Sequence, residues 1–246
     1  MLPVTNSAAR RAVAASVPLC RACRLAPPAF RGAVAFGLYQ GRMKDAIHAF
    51  KYGRLYPLAG RLGRMLARAM AQLADEAPAE MLVVPVPLHR SKYAQRGFNQ
   101  ARSLASEALK VLAKSHPAWR LTLASSTLMR LRATESQAGL TPRMRRLNVR
   151  GAFVVSDQAA VTLKHVLIVD DIFTTGATAR AAAQTLAKAG AASVWVATLA
   201  RARRASEIGR AASFEDAGDE EELTGNAPAA VWQGASRFSS HDQPSF

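Results

Sequence analysis

Residues 166–178 read VLIVDDIFTTGAT, and this segment constrains the fold more than any other. The run 166–169 is aliphatic at every position, as a strand covered on both faces of a parallel sheet must be; a half-exposed strand would alternate. Two adjacent carboxylates, Asp170 and Asp171, follow at its carboxyl end, which is where open α/β sheets place ligands. An Asp after a strand can serve only as a turn former or helix cap. Stability alone, however, gives no reason to set two negative charges side by side at the end of a buried strand. Thr174, Thr175, Gly176 and Thr178 come next, leading into residues 177–189 (ATARAAAQTLAKA), a predicted helix whose first turn leaves backbone N–H groups unpaired. Those donors, the threonine hydroxyls and the helix dipole suit a phosphate dianion. The segment therefore predicts a site for a phosphorylated ribose. The competing nucleotide motifs GxxxxGK[ST] and GxGxxG do not occur in the chain.

The rest of the chain supplies an alternating pattern. Residues 33–39 predict a first strand, and residues 41–50 a helix through Met43, Ala46, Ile47 and Phe50. Residues 58–73 continue as a longer, arginine-studded helix. Residues 81–88 (MLVVPVPL) predict a strand whose prolines suit its loop end, and residues 99–112 a helix capped by Asn99. Residues 128–131, 152–155, 166–169 and 194–199 supply further strands. This order argues for a mainly parallel α/β sheet flanked by helices. Residues 1–30 read as an extension ending at Pro27-Pro28, residues 31–204 as one folded body, and residues 205–246 as an acidic tail of disordered composition.

The net charge of +16 is unevenly placed. Residues 207–246 hold eight Asp/Glu against two Arg, a net of −6, so the preceding residues carry +22. Such a body attracts polyanions, whether nucleic acid or a pyrophosphate-bearing substrate, although arginine can also simply cover a surface. Charged residues interrupt every apolar run, which predicts no membrane insertion and a cytoplasmic protein. The only cysteines, Cys20 and Cys23, form one CxxC. A zinc site needs about four ligands, so this pair fits two unligated thiols, or half of a site completed by another chain, better than a working metal centre.

Two basic segments are candidates for the anionic part of a ligand. PVPLHRSKYAQRGFNQ places His89, Arg90, Lys92 and Arg96 beside Gly97 and Asn99 in a single connection, where cations would neutralise a leaving pyrophosphate and Gly97 would permit close backbone approach. Residues 130–153 are too polar for a core element and too rich in arginine for an idle turn, which predicts a mobile lid. Gln137, Leu140, Arg143, Arg146 and Asn148 are its candidate contacts. Lys51 and Tyr52 close the early helix, and either face the same site or favour a helix C-terminus.

Four pieces together, HAFKYG, PVPLHRSKYAQRGFNQ, SQAGL…RRLNVRGAF and VLIVDDIFTTGAT, resemble the ComF/GntX family of phosphoribosyltransferase-like proteins over roughly residues 30–204. The resemblance implies a type I phosphoribosyltransferase-like fold. It implies that Asp170 and Asp171 bind ribose hydroxyls, and that Thr174, Thr175, Gly176, Ala177 and Thr178 cradle the 5-phosphate. Arg96, with Lys92, Gly97, Asn99, Gln137, Arg143 and Arg146, would serve the pyrophosphate. Mg²⁺ would enter with phosphoribosyl pyrophosphate, bound chiefly by its phosphate oxygens and waters. Members of that family commonly begin with a zinc-binding module of paired CxxC motifs, so residues 1–30 read as the remnant of a cysteine-rich segment.

Two functions follow as expectations. The first is an enzyme transferring phosphoribosyl to an acceptor that no segment identifies. The second is a non-catalytic module that senses phosphoribosyl pyrophosphate or a nucleotide in DNA uptake while contacting single-stranded DNA or an uptake partner.

Overall fold

The computed structural model describes residues 21–53, 55–133, 141–202 and 231–233. After a short helix α1 (Arg21–Leu25), the body runs β1 (Gly32–Leu38), α2 (Gly41–Tyr52), α3 (Leu58–Ala71), β2 (Glu80–Pro85), α4 (Arg90–Arg96), α5 (Gln100–Ser115) and β3 (Arg120–Leu123). It continues through β4 (Leu128–Arg130), α6 (Pro142–Val149), β5 (Phe153–Val155), β6 (His165–Phe173), α7 (Ala177–Lys188), β7 (Ser193–Arg201) and β8 (Val231–Gln233). The main sheet has the order β3-β2-β6-β7-β1-β8. Its first five strands are parallel neighbours, and β8 pairs antiparallel with β1 at the edge.

Helices cover both faces of this sheet, which accounts for the unbroken apolar runs. Leu167 and Val169 of β6, with Trp195, Ala197 and Leu199 of β7, pack against α2, α3 and α5 through Ile47, Phe50, Leu66, Met70 and Leu104. The alternate residues Val166, Ile168, Val194 and Val196 face α7 and the β4–β5 pair through Ala182, Leu186, Leu128 and Phe153. The two helices α3 and α5 approach closely at Gly63, where an added Cβ would lie 2.3 Å from the Glu107 Cβ. Leu66 is fully buried, and truncating such a leucine to alanine costs roughly 2–5 kcal/mol.

Several expectations are corrected. Residues 128–131 and 152–155 are strands as expected, but they stand apart from the main sheet: β4 and β5 form a separate antiparallel pair, Leu128 opposite Val155. The connection after β2 was expected to be a loop, yet it contains α4, whose N-cap His89 accepts a hydrogen bond from the Ser91 N–H. Strand β3 was not foreseen. Strand β6 does not stop before the carboxylates: Asp170 is in register with Thr198 and Ile172 with Ala200, so the acidic pair lies within the strand. Residues 142–149, inside the expected lid, form α6 with Thr141 as a cap that accepts from the Met144 N–H. Val231–Gln233, inside the stretch expected to lack structure, pairs with β1 as β8. Most of residues 1–30 and 205–246 lie outside the described residues.

Candidate phosphoribosyl cleft

The carboxyl ends of β1, β2, β6 and β7 open into a cleft of about 520 Å³. Its floor is set by strand alternation. Successive residues of a strand face opposite sides of a sheet, so Asp171 follows the parity of Leu167 and Val169 toward α2, while Asp170 follows Val166 and Ile168 toward the β4–β5 pair. Each carboxylate meets a cation from its own layer. Lys51 Nζ of α2 lies 2.7 Å from Asp171 Oδ2, and Arg130 of β4 is among the charges acting on Asp170.

The electrostatics of the floor follow from that arrangement. Burial and then the negative charge of Asp171 push the Asp170 carboxyl up to about 7, against the opposing pull of Lys51, the Asp171 N–H that it accepts at 2.9 Å, and Arg130. Burial alone would lower the Lys51 ammonium. The charge and hydrogen bond of Asp171, with the charge of Asp170, outweigh burial and raise it above 10.5. Lys92 is lowered, first by burial and then by its neighbours Arg130, Arg96 and Lys51. Burial likewise lowers Arg130, opposed by Asp170. Crowded cations of this kind favour an anion that would relieve their mutual repulsion.

The loop after β6 forms another wall. Thr174, Gly176, Ala177 and Thr178 line the cleft, whereas Thr175 turns its Oγ1 to accept from the Ala177 N–H at 3.4 Å. Gly176 has φ +74°, and a Cβ on it would lie 2.6 Å from the Phe173 ring. No other residue type fits there without displacing Phe173, which packs edge-on against Phe30. The turn delivers the chain into α7 with the helix N-terminus at the cleft.

Arg96 closes α4 and is held on two sides. Its Nη1 donates to Gln100 Oε1 at 3.0 Å and its Nη2 to the Tyr52 hydroxyl at 3.1 Å, with the guanidinium 5.0 Å from the Tyr52 ring centre. Gly97 makes the link possible: at φ +78° it ends α4 in the left-handed region, and α5 starts three residues later.

The phosphoribosyl transferase domain model matches residues 94–216. The DNA utilization protein YhgH of Salmonella typhi is 34% identical over 74% of this chain and 77% of its own length. Competence protein F of Haemophilus influenzae is 27% identical over 74% and 78%. The chain belongs to the ComF family. Among solved structures, a hypoxanthine phosphoribosyltransferase from Staphylococcus aureus is 16% identical with a TM-score of 0.35, covering 58% of this chain and 64% of that one. The glutamine phosphoribosylpyrophosphate amidotransferase of B. subtilis is 22% identical with a TM-score of 0.34; the match covers 57% of this chain and 26% of that one. Likenesses this slight have no bearing on the site.

Most of the residues expected to matter in a ComF protein meet at this cleft: Asp170, Asp171, Lys51, Tyr52, Lys92, Arg96 and the loop after β6. Asn99 also lines the cleft, but its amide is used by the protein, its Nδ2 donating to Val86 O and its Oδ1 accepting from the Arg102 N–H. Gly97 is the turn between α4 and α5 and does not line the cleft. The Asn148 carbonyl accepts from Arg132. Gln137 and Leu140 lie outside the described residues, as do the side chains of Arg143 and Arg146 on α6. Cys20 also lies outside them, while Cys23 Sγ accepts from Arg180 Nη2 at 3.1 Å. Sequence reasoning missed Arg130, Gln100, Tyr39 and Thr198, all lining the cleft. Only Arg130 carried a signal, as the first residue of an arginine-dense segment. Among the described residues no helix is long and apolar enough to cross a membrane.

Proposed function

We propose that this cleft binds phosphoribosyl pyrophosphate with Mg²⁺ and that the protein transfers the phosphoribosyl group to a nitrogen acceptor. One observation carries the reading: a single cleft is lined together by two adjacent carboxylates, by the threonine–glycine loop at the start of α7, and by Lys51, Lys92, Arg96 and Arg130. A ligand with vicinal hydroxyls, one terminal phosphate and a second, more highly charged phosphate group satisfies all three walls. The volume suits a small molecule.

In this reading the N–H groups and hydroxyls of residues 174–178 hold the 5-phosphate. Asp170 and Asp171 accept hydrogen bonds from the ribose hydroxyls, and Lys51 fixes the Asp171 carboxylate through its 2.7 Å contact. The bond from the anomeric carbon to the pyrophosphate oxygen breaks, and its electron pair leaves with pyrophosphate. Arg96, Lys92 and Arg130 stabilise that departing charge. The acceptor nitrogen donates its lone pair to the anomeric carbon and then releases its proton. Among the described residues no three His, Cys, Asp or Glu side chains cluster to cage a metal. A Mg²⁺ here fits an ion held chiefly by phosphate oxygens and water, with Asp170 as the protein carboxylate available to it, and it would supply charge neutralisation at the pyrophosphate.

A second reading, a binding module without turnover that contacts single-stranded DNA, draws on a separate feature. Arg61, Arg64 and Arg68 lie exposed along one side of α3, and Arg64 shares a surface groove with Lys110 and Lys114 of α5. The names of the relatives, DNA utilization protein and competence protein, point the same way.

The deciding experiment is pyrophosphate release from Mg²⁺-phosphoribosyl pyrophosphate across a panel of nitrogen bases, with wild type and Arg96→Ala. Acceptor-dependent release that Arg96→Ala abolishes supports the enzyme. Ligand binding without release, beside salt-sensitive DNA binding that survives Asp171→Asn, supports the module.

A further inference from the structure

Helix α3 carries Arg61, Arg64 and Arg68, all exposed, and no acidic residue. Like charges three and four positions apart on a helix repel, and Arg61 stands near the N-terminus, where the helix dipole disfavours a cation. Helix α5 meets α3 so closely at Gly63 that Glu107 leaves no room for a side chain there. This contact sets Arg64 beside Lys110 and Lys114 of α5 in a groove of about 420 Å³. The carboxylate in that groove, Glu107, is bound to Lys110 at 2.6 Å. Among the described residues Arg61, Arg64, Arg68 and Lys114 have no carboxylate partner. An anionic partner would relieve the self-repulsion of such a face.

The chain itself carries one. Residues 215–222 read EDAGDEEE, six carboxylates in eight positions with no cation. Topology brings them within reach. The chain leaves the sheet at the end of β7 and returns to it as β8 on the edge of β1. Helix α3 covers these strands, since its Leu66 and Met70 share a core with Val34 of β1 and with Trp195 and Leu199 of β7. At about 3.3–3.6 Å per extended residue, the 13 residues from Ala202 to Glu215 span up to roughly 45 Å, and the nine from Glu222 to Val231 up to roughly 30 Å. The outer side of a helix roughly 10–12 Å across lies nearer to the sheet than either limit. Tethering at both ends holds the segment at an effective concentration on the order of millimolar, so that individually weak ion pairs act together.

We infer that the acidic segment 215–222 docks, within the same chain, on the basic face formed by Arg61, Arg64 and Arg68 of α3 with Lys110 and Lys114 of α5. The cleft is another cationic surface, but cations there are already engaged: Lys51 pairs with Asp171, and Arg96 donates to Gln100 and Tyr52. The docked segment is an internal polyanion that an external one has to displace. Single-stranded nucleic acid therefore meets this face only in competition with the tail. The inference is independent of what the cleft binds.

The test is zero-length carbodiimide coupling of the full chain, which joins lysine amines to carboxylates in contact, read by peptide mass spectrometry. Lys110 and Lys114 report on the face, and Lys44, Lys164 and Lys188, exposed elsewhere, are the controls. The expected result is coupling of residues 215–222 to Lys110 and Lys114 roughly fivefold or more above any control, lost in roughly 1 M salt, where the screening length is about 3 Å. Arg64→Ser/Arg68→Ser should reduce that coupling. Converting the six carboxylates of residues 215–222 to amides should tighten binding of a fluorescent oligothymidine by roughly tenfold at low salt and leave it unchanged at high salt. Coupling to the control lysines as strong as to Lys110 and Lys114 would overturn the inference, as would coupling to Lys92 instead, which would put the segment in the cleft. Mixtures of ordinary and isotope-labelled chains should give links within one isotope; mixed links would assign the contact to a second copy and overturn docking within the chain. Oligothymidine binding unchanged by the six substitutions would overturn it equally.

Discussion

Lys51 Nζ sits 2.7 Å from Asp171 Oδ2, with both side chains largely buried, and this contact ties the end of α2 to the central strand beneath the cleft. Removing one partner of such a pair strands the other charge in a low-dielectric site, which typically costs about 3–5 kcal/mol. The raised Lys51 pKa has a definite sign. Its stabilisation is fully present below 10.5, the unfolded value, and is lost only as pH climbs through the higher folded value. Lys51→Met should therefore lose close to that amount at pH 7 in urea denaturation, and the double variant Lys51→Met/Asp171→Leu should recover part of it.

Asp170 has the opposite consequence. Its carboxyl is raised to about 7 from 3.8, so the folded state holds the proton more tightly than the unfolded chain. That contribution is fully present below pH 3.8 and lost as pH rises from there to about 7. Asp170→Asn keeps the oxygen that accepts from the Asp171 N–H and never ionises. Its melting temperature should match wild type near pH 4 and exceed it by several degrees at pH 8. A difference that stays constant with pH would contradict the assignment.

At Gly176 the constraint is steric. The positive φ and the 2.6 Å approach of a would-be Cβ to the Phe173 ring predict that Gly176→Ala destabilises by roughly 1–3 kcal/mol. Because the same turn aims the start of α7 into the cleft, binding of ribose 5-phosphate should fall with it. Adding Phe173→Leu should restore part of the stability and little of the binding.

Arg130 is the cation that acts on Asp170 from the β4–β5 layer. Arg130→Gln should push the Asp170 carboxyl up from about 7, read directly by carboxyl-carbon NMR titration, and should weaken binding of a polyanion severalfold.

The parts of this fold that were legible in the sequence are those in which one local pattern had one physical meaning. The unbroken VLIV run required a strand covered on both faces, and β6 is such a strand. Asn99 read as a cap and is one. That β4 and β5 pair with each other, outside the main sheet, was not legible, because an apolar triplet such as FVV does not say which strand it will meet. The extension of β6 through its two carboxylates was equally hidden, since Asp disfavours strands in isolation and is held there by its register with β7. Gln100 gave no signal, because a glutamine at the first turn of a helix is unremarkable until Arg96 is seen to occupy one end of its amide.

The central claim is that Asp170 and Asp171 form a ribose-binding floor for phosphoribosyl pyrophosphate. The most direct test is calorimetric titration of that compound with Mg²⁺ into wild type and into Asp170→Asn/Asp171→Asn, at two salt concentrations, with circular dichroism to confirm that both fold. Saturable wild-type binding, lost in the double variant at either salt, is the predicted result. No binding by a well-folded wild type, or equal binding by the two proteins, would contradict it.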